Sequence, residues 1–552
     1  MALSVSIEDF PGPDEVEGFW AYDNHMTAPM TPLSIDAVGR TIAEGFTQAQ
    51  AEYDTSIMVT PRFEKGFFYV SFHPIPDEEE AARRWSRYEQ TLAEKVPGVG
   101  ARWQFEWKPE VIALNSELRV ADWTTLSDTE LAEKLDWFID HMRYQWYIHG
   151  HINYCLMSAS AFCDFYDEVV QPESKTESYQ CLQGFRTRSV DTGTGLWKLS
   201  RIVRDNAELR TLFESTPLDE LPAALAASDA AAEFNAEFAD FLAEFGWRSG
   251  GVYDMFAETW IEDPSVPLRS LMGYLDMDDA DNPELHLARA EAKRETQLAK
   301  CRQLLADDPD KLAHFNDLYE AAQYNLPVTE DHAFWIDQTG VAVFRRFVGE
   351  IGRRLAESGV VADADDVHFL YVDELRDAMA NGTKRDAELA ARREEHAAYS
   401  TISPPPILGT PPPPPPADAP FDPFMDALVV RLLGMVPPDP DAVHDENVLT
   451  GVTGSPGTAT GRARVVTTLA QATELEEGEI LVCPMTLPPW VPLFSIASAV
   501  VADTGGVLSH CAIVAREMGI PAVVGTQMAT SMITTGQMIT VNGDDGTVLL
   551  DV

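Results

Sequence analysis

The chain has 552 residues, 45% of them hydrophobic, which is enough for two or three domains with buried cores. Its formal net charge of −49 argues against nucleic acid or an anionic membrane as partner and for a strongly solvated surface. No apolar run approaches the roughly 18 residues that a membrane span requires, and the opening MALSVSIEDFPG has neither a basic n-region nor an apolar core, so the expected location is cytoplasmic.

Residues 1–403 read as one mostly helical domain. Apolar positions recur with a period near 3.6 in segments such as 35–53, 79–96, 127–169, 218–245, 283–306 and 329–357, and GFFYVSF at 66–72 is a clear strand. In HMRYQWYIHGHINY, residues 141–154, helical spacing puts His141, Gln145 and His149 near one face while His151 points elsewhere. Aromatic residues at this spacing are most often core. Aromatic rings with one or two histidines also suit a pocket for a small ligand, which makes Tyr144, Trp146 and His149 candidates for substrate binding. A His-x-His pair without a third ligand is weak evidence for a metal, no HExxH occurs, and no metal site is expected.

Two further segments of this domain carry polar clusters. FLAEFGWRSGGVYDMFAETWIEDP, residues 241–264, contains Arg248, a permanently charged fork suited to a phosphoryl group, with a salt bridge to Asp254 or Glu262 as the structural alternative. Glu262 is taken with it as a substrate-site candidate. In LPVTEDHAFWIDQ, residues 326–338, His332 beside Asp331 is a candidate general base; alternatively Thr329 caps a helix whose first turn carries Glu330 and Asp331. Against the acidic background Arg143, Arg186, Arg248 and Arg345 stand out as basic groups, most of them expected to be ordinary salt-bridge partners. The six cysteines, Cys155, Cys163, Cys181, Cys301, Cys483 and Cys511, are scattered without a CxxC pair, so reduced thiols are expected.

A linker is expected over 404–447. PPPILGTPPPPPPADAP, residues 404–420, predicts polyproline II, either extended or strapped to the helical domain. Asp422 and Pro423 then start a short amphipathic helix stopped by Gly434, and VPPDPDAVHDEN at 436–447 is the better hinge.

The C-terminal region, 448–552, reads as α/β. SAVVAD, 498–503, is a short apolar strand; Gly505 and Gly506 turn the chain; CAIVAREM is helical; Gly519 and Pro521 end the helix before a second apolar run. Ser509 is the expected N-cap, which places His510 in the first helical turn. Free backbone N–H groups and the positive end of the helix dipole favour an anionic phosphoryl group there, and neutral imidazole is a competent nucleophile.

Gly505, Gly506, Ser509, His510, Ala512 to Glu517 and Gly519 to Gly525 resemble the signature of the swivelling phosphohistidine domain of the phosphoenolpyruvate-utilising family. That family includes phosphoenolpyruvate synthase, pyruvate phosphate dikinase, rifampicin phosphotransferase and phenylphosphate synthase. LTGVTGSPGTATGRARVV, 449–466, and GEILVCPMTLPPWVPLF, 478–494, extend the likeness. Cys511 and Leu508 depart mildly from it. The resemblance implies a phosphohistidine at His510, a phosphoryl-loop role for Gly505, Gly506 and Ser509, and an α/β swivelling domain after a helical substrate domain. Segment 241–264 and MTPLS, 30–34, are similar to the substrate domain of rifampicin phosphotransferase, whereas 326–338 is similar to phenylphosphate and cresol-phosphorylating synthases.

Residues 1–440 show no phosphate-binding glycine loop followed by Lys, and the chain ends at Val552, so neither an ATP-grasp domain nor a phosphoenolpyruvate barrel is expected in it. The resemblance therefore implies a catalytic subunit that takes its phosphoryl group from an ATP-grasp partner using ATP and Mg²⁺. The expected acceptor is a small phenolic hydroxyl of the phenol or 4-cresol type, with aryl phosphate as product. A rifampicin-like antibiotic phosphotransferase subunit and a non-catalytic phosphocarrier or regulator are the alternatives.

Overall fold

The computed structural model describes residues 10–550, except 24, 27, 173, 175, 403, 412–421, 435–446, 468–470, 472–473 and 487–489. The chain forms two units that interleave in sequence. The first takes residues 1–153, 251–258 and 335–420, and the second takes 154–250, 259–334 and 421–552. This division differs from the sequence boundaries at 403 and 448, because helical residues 154–250 and 259–334 group with the histidine region.

In the first unit, strands β1 (Phe19–Tyr22), β2 (Ile57–Glu64), β3 (Phe67–Pro74) and β4 (Ile407–Gly409) form an antiparallel sheet in the order β2-β3-β1-β4. The strand expected at 66–72 is β3, and its hairpin partner is β2. β4 corrects the polyproline II reading of 404–420 for its described part: Ile407 and Leu408 keep backbone donors between prolines, and Leu408 is buried against Phe67 and Tyr69. The rest of that stretch and the hinge expected at 436–447, except Asn447, lie outside the described residues. Helix Arg40–Glu52 crosses helix Asp128–Ile152 at Gly45, where a Cβ would sit 2.6 Å from the Tyr147 nitrogen; only glycine permits that approach. Helices Glu78–Lys95, Lys108–Val120, Val341–Glu357, Val372–Asn381 and Asp386–Tyr399 complete the unit's larger elements.

The periodic run expected over 127–169 is two helices. Asp128–Ile152 starts with a Ser127–Glu130 capping box, and Cys155–Val170 follows in the second unit. There it packs with Pro283–Leu304 and Pro309–His332 around Leu156, Phe162, Tyr166, Leu298, Phe315 and Tyr319. Arg188–Asp205, Ala232–Phe245 and Ser265–Gly273 build a second helical core around Trp197, Phe234 and Trp260.

The C-terminal region of the second unit is α/β. Its strands are β5 (Val448–Thr450), β6 (Val452–Ser455), β7 (Thr458–Val465), β8 (Ile480–Cys483), β9 (Ala499–Ala502), β10 (Ala522–Val524), β11 (Met538–Asn542) and β12 (Thr547–Leu550). They form one sheet in the order β5-β12-β11-β7-β8-β9-β10-β6. The parallel stretch runs from β7 to β10, and β8, β9 and β10 are buried at every position, which is why they read as unbroken apolar runs. Among the described residues no helix is long and apolar enough to cross a membrane.

The short helix after the proline run docks on the glycine turn. Asp422 caps it by accepting from the Phe424 and Met425 amides at 2.9 and 3.0 Å, and it continues as a π-helical segment, Asp426–Leu432. Its last carbonyls accept from the turn: Gly505 N to Leu433 O is 3.0 Å, Gly506 N to Leu432 O 2.8 Å and Leu508 N to Arg431 O 2.8 Å. Arg431 ties the same segment to Asp164 and Asp426. A Cβ on Gly506 would lie 2.3 Å from the Arg431 carbonyl oxygen. Gly506→Ala is therefore expected to lower stability by about 1–3 kcal/mol, as overpacking does, measured by urea unfolding of the full chain.

Candidate functional site

His510 is the first residue of helix His510–Met518, which leaves the sheet after β9 through the Gly505-Gly506 turn. Ser509 caps the helix as expected, its Oγ accepting from the Ala512 amide at 3.3 Å. Leu508 and Ile513 seat the turn and helix in the core formed by Phe162, Phe315 and Tyr319. The imidazole is thereby held at 13% exposure, with Nδ1 2.6 Å from Oε2 of buried Glu330. A carboxylate only accepts, so in neutral His510 the proton sits on Nδ1 and the lone pair on Nε2. Nε2 is buried and has no hydrogen-bond partner among the described residues. An oriented imidazole with an uncommitted lone pair is equipped to attack a phosphorus and carry the phosphoryl group.

In this arrangement the Gly505 and Gly506 amides of the expected phosphoryl loop donate to the Leu433 and Leu432 carbonyls. Cys511 is fully buried, and burial pushes its thiol up to about 12, which makes it inert packing.

Glu330 stands in the last turn of helix Pro309–His332, so Thr329 caps no helix start; its hydroxyl donates to the Leu326 carbonyl instead. Pro327 lies inside this helix, where proline normally marks a boundary, and this is why the sequence pattern restarts at Thr329. Asp331 and His332 are buried, and His332 Nδ1 is 2.7 Å from the Val328 carbonyl, which directs its Nδ1–H to the backbone. Arg248 is 1% exposed and lies over the Phe334 and Trp260 rings at 4.5 and 5.5 Å. Glu262 accepts from the Thr259 amide and hydroxyl, each at 2.8 Å, in the turn that follows.

Within the first unit, His149 Nδ1 lies 2.9 Å from Asp337 Oδ1, both buried, with the Phe46 and Trp146 rings 5.1 and 5.4 Å from the imidazole. Tyr253 meets Trp146 edge-on at 5.0 Å and His25 at 6.0 Å, and His25 Nδ1 lies 2.6 Å from Asp23. Burial opposes charge in this second pair. Mutual attraction prevails, holding the Asp23 carboxyl below and the His25 imidazole above their ordinary ranges. His149 and Asp337 reinforce these shifts, so the two pairs sit in each other's field around Tyr253. Tyr144 is corrected out of this cluster: it is 36% exposed, stacks on Tyr147 and donates to Glu110. Positions 144 and 146 are about 200° apart on a helix, so they face different surroundings.

The family models agree with this geometry. That for the mobile domain of PEP-utilising enzymes matches residues 475–546, and that for the rifampicin phosphotransferase fourth domain matches 154–330.

The chain carries the mobile domain of PEP-utilising enzymes.

It is 32% identical over 381 residues to an uncharacterised phosphotransferase of Bacillus subtilis, covering 69% of this chain and 44% of that one. Against a rifampicin phosphotransferase from a Streptomyces species the figures are 31% over 366 residues, 64% and 39%. Chondramide synthase of Chondromyces crocatus is 30% identical over 546 residues, 98% of this chain and 14% of the synthase. The chain thus spans less than half the length of these relatives. Apart from residues 251–258, both family matches fall in the second unit: 154–330 carries Glu330 and 475–546 carries His510.

Sequence reasoning missed Glu330 as a partner, the Asp23–His25 pair, Asp337 and Tyr253. Asp337 was legible only as an acid within the quoted 326–338 segment, and Asp23–His25 only as a short polar break in an aromatic stretch. It also missed Glu517, two turns beyond His510, whose carboxyl is pushed up to about 8 by burial and by Glu330, against the pull of Arg516. A raised carboxyl binds its proton more tightly folded than unfolded, so its contribution to stability is fully present below about 4.5 and lost as pH rises through about 8. Melting temperatures of Glu517→Gln and the parent, taken from about pH 5 to about pH 9, are expected to show a decline in the parent that the variant lacks.

Proposed function

We propose that this chain is the phosphohistidine-bearing part of a phosphotransferase that passes a phosphoryl group from His510 to an aromatic hydroxyl, of the phenol or 4-cresol type. The observation that carries this reading is the Glu330 carboxylate on His510 Nδ1, which leaves the Nε2 lone pair as the nucleophile. In loading, Nε2 attacks the phosphorus of the donor and the donor's P–O bond breaks. The donor side, with ATP and Mg²⁺, belongs to an ATP-grasp partner in this reading, since family resemblance assigns it there.

In unloading, the acceptor oxygen attacks phosphorus, the P–N bond breaks and Nε2 recovers its lone pair. The acceptor is assigned to the His149–Asp337 pair. A phenol with a pKa of about 10 needs a base at neutral pH, and a histidine paired with a carboxylate, as His149 is with Asp337, suits that role. Trp146, Phe46 and Tyr253 supply aromatic surface for the ring. The rifampicin phosphotransferase relative supports a second acceptor class, a rifampicin-like antibiotic.

The test mixes the full chain with an ATP-grasp protein from the same source, ATP, Mg²⁺ and a panel holding phenols and rifampicin, and follows phosphohistidine and product by mass spectrometry. His510→Ala is expected to abolish both. His149→Gln is expected to leave loading intact and to slow transfer by about 10²–10⁴-fold. Glu330→Gln keeps the volume but weakens orientation of the imidazole, and is expected to slow loading by about 10–100-fold. Product formation unaffected by His510→Ala sinks the reading; loading of His510 with no product from any panel member sinks its acceptor half.

A further inference from the structure

Within the second unit a cavity of about 280 Å³ separates the far end of the histidine helix from the helical core. One wall is Phe494, Ser495 and Ala497 with Val514, Glu517 and Met518; the other comes from the helices around Val190, Tyr274 and Leu287. The two walls are fixed on each other beside the void. A Cβ on Gly273 would lie 1.8 Å from the Ile496 side chain, and Arg269 donates to the Leu475 carbonyl at 2.8 Å.

The chemistry of the lining is selective. Most of it is aliphatic or aromatic, and its ionisable groups are Asp281, His286 and Glu517, with no Lys or Arg among the described lining residues. Arg516, next to Glu517, is committed elsewhere, donating to the Gly454 and Val507 carbonyls at 2.7 Å each. Arg289 is the charged group felt by His286 besides Asp281. Phosphate, nucleotide or carboxylate ligands would meet two carboxyl groups and no cation, so the cavity is not a second phosphoryl site. Tyr274 is 1% exposed, and its hydroxyl oxygen has no hydrogen-bond partner of normal geometry among the described residues, although Ser495 lies beside it. The void therefore offers an apolar body, a polar handle at Tyr274 and an acidic end at Glu517 and Asp281.

We propose that this cavity binds a small apolar amine, with its ring or chain among Val190, Leu287, Phe494 and Val514 and its ammonium toward Asp281 and Glu517, the latter releasing its proton to solvent as the ammonium binds. Because the ligand touches both walls, its occupancy holds the histidine helix on the helical core. The site is independent of the acceptor assignment and stands if that assignment fails.

The experiment titrates the full chain with 2-phenylethylamine, 2-phenylethanol and 3-phenylpropionate by calorimetry, and repeats the amine titration with Val190→Trp, Leu287→Trp and Glu517→Gln. The amine is expected to bind at least about tenfold tighter than the carboxylate, to lose binding in both tryptophan variants and to weaken about tenfold in Glu517→Gln. It is also expected to slow hydrogen exchange over residues 184–193 and 514–520 together. Circular dichroism of each variant separates a filled cavity from an unfolded chain, and two filling variants on separate helices guard against one failing to fold. An amine that binds no tighter than 3-phenylpropionate, or that binds undiminished to both folded tryptophan variants, overturns the proposal.

Discussion

The bond between His510 and Glu330 is the contact on which the proposed chemistry turns, and it is made by packing rather than by local sequence. A histidine at a helix start is common, but a fixed tautomer requires a partner at a fixed place. Here the partner rides on the end of helix Pro309–His332, and the distance of 2.6 Å is maintained because Leu508, 0% exposed, and Ile513 are plugs in the same helical core. Burying side chains of that size contributes about 1.5–3 kcal/mol each, more than the net worth of one hydrogen bond, so the apolar seat sets the geometry and the bond reads it out.

That geometry suits the unmodified imidazole. A phosphoryl group on Nε2 adds about two negative charges to a residue already paired with a carboxylate, and Glu517 lies within the field of the same carboxylate. In a chain of net charge −49 few mobile cations are at hand to offset this. The basic groups singled out from sequence are mostly committed: Arg143 to Glu44 and Asp140, Arg186 to Asp191 and Glu284, Arg345 to the Met255 and Phe256 carbonyls. On the proposed reading, charging His510 would work against its seat, as a carrier that leaves after loading requires.

The strand, glycine turn, cap and helix around His510 were legible because each is a local rule: an apolar run, a turn, a serine oxygen within reach of an amide, a glycine stop. The helical character of 154–334 was legible for the same reason. Glu330 was not, since it is separated from His510 by 180 residues and its own neighbourhood reads as a dipole-favoured acid at a helix start. His149 was found because aromatic residues surround it in sequence, but its carboxylate, Asp337, comes from 188 residues away. β4 was hidden by its prolines: composition spoke for an extended coil, and tertiary pairing with β1 decided otherwise. The interleaving of the two units is likewise a product of long-range packing that no periodicity carries.

The glycine turn adds a second constraint. An anion at a helix start draws on free amides, yet Gly505, Gly506 and Leu508 all donate to the carbonyls of Arg431, Leu432 and Leu433, and the Ala512 amide is taken by Ser509. These donors become available to a phosphoryl group only if segment Asp426–Leu432 lifts away, which costs its three backbone bonds and the Arg431–Asp164 pair. At about 1 kcal/mol net for each neutral hydrogen bond, and less for an exposed ion pair, that cost exceeds the about 0.3–2 kcal/mol gained from an anion at a helix N-terminus, so the docked segment is the favoured state. On the proposed reading, a phosphoryl group on His510 competes with this short segment for the same amides.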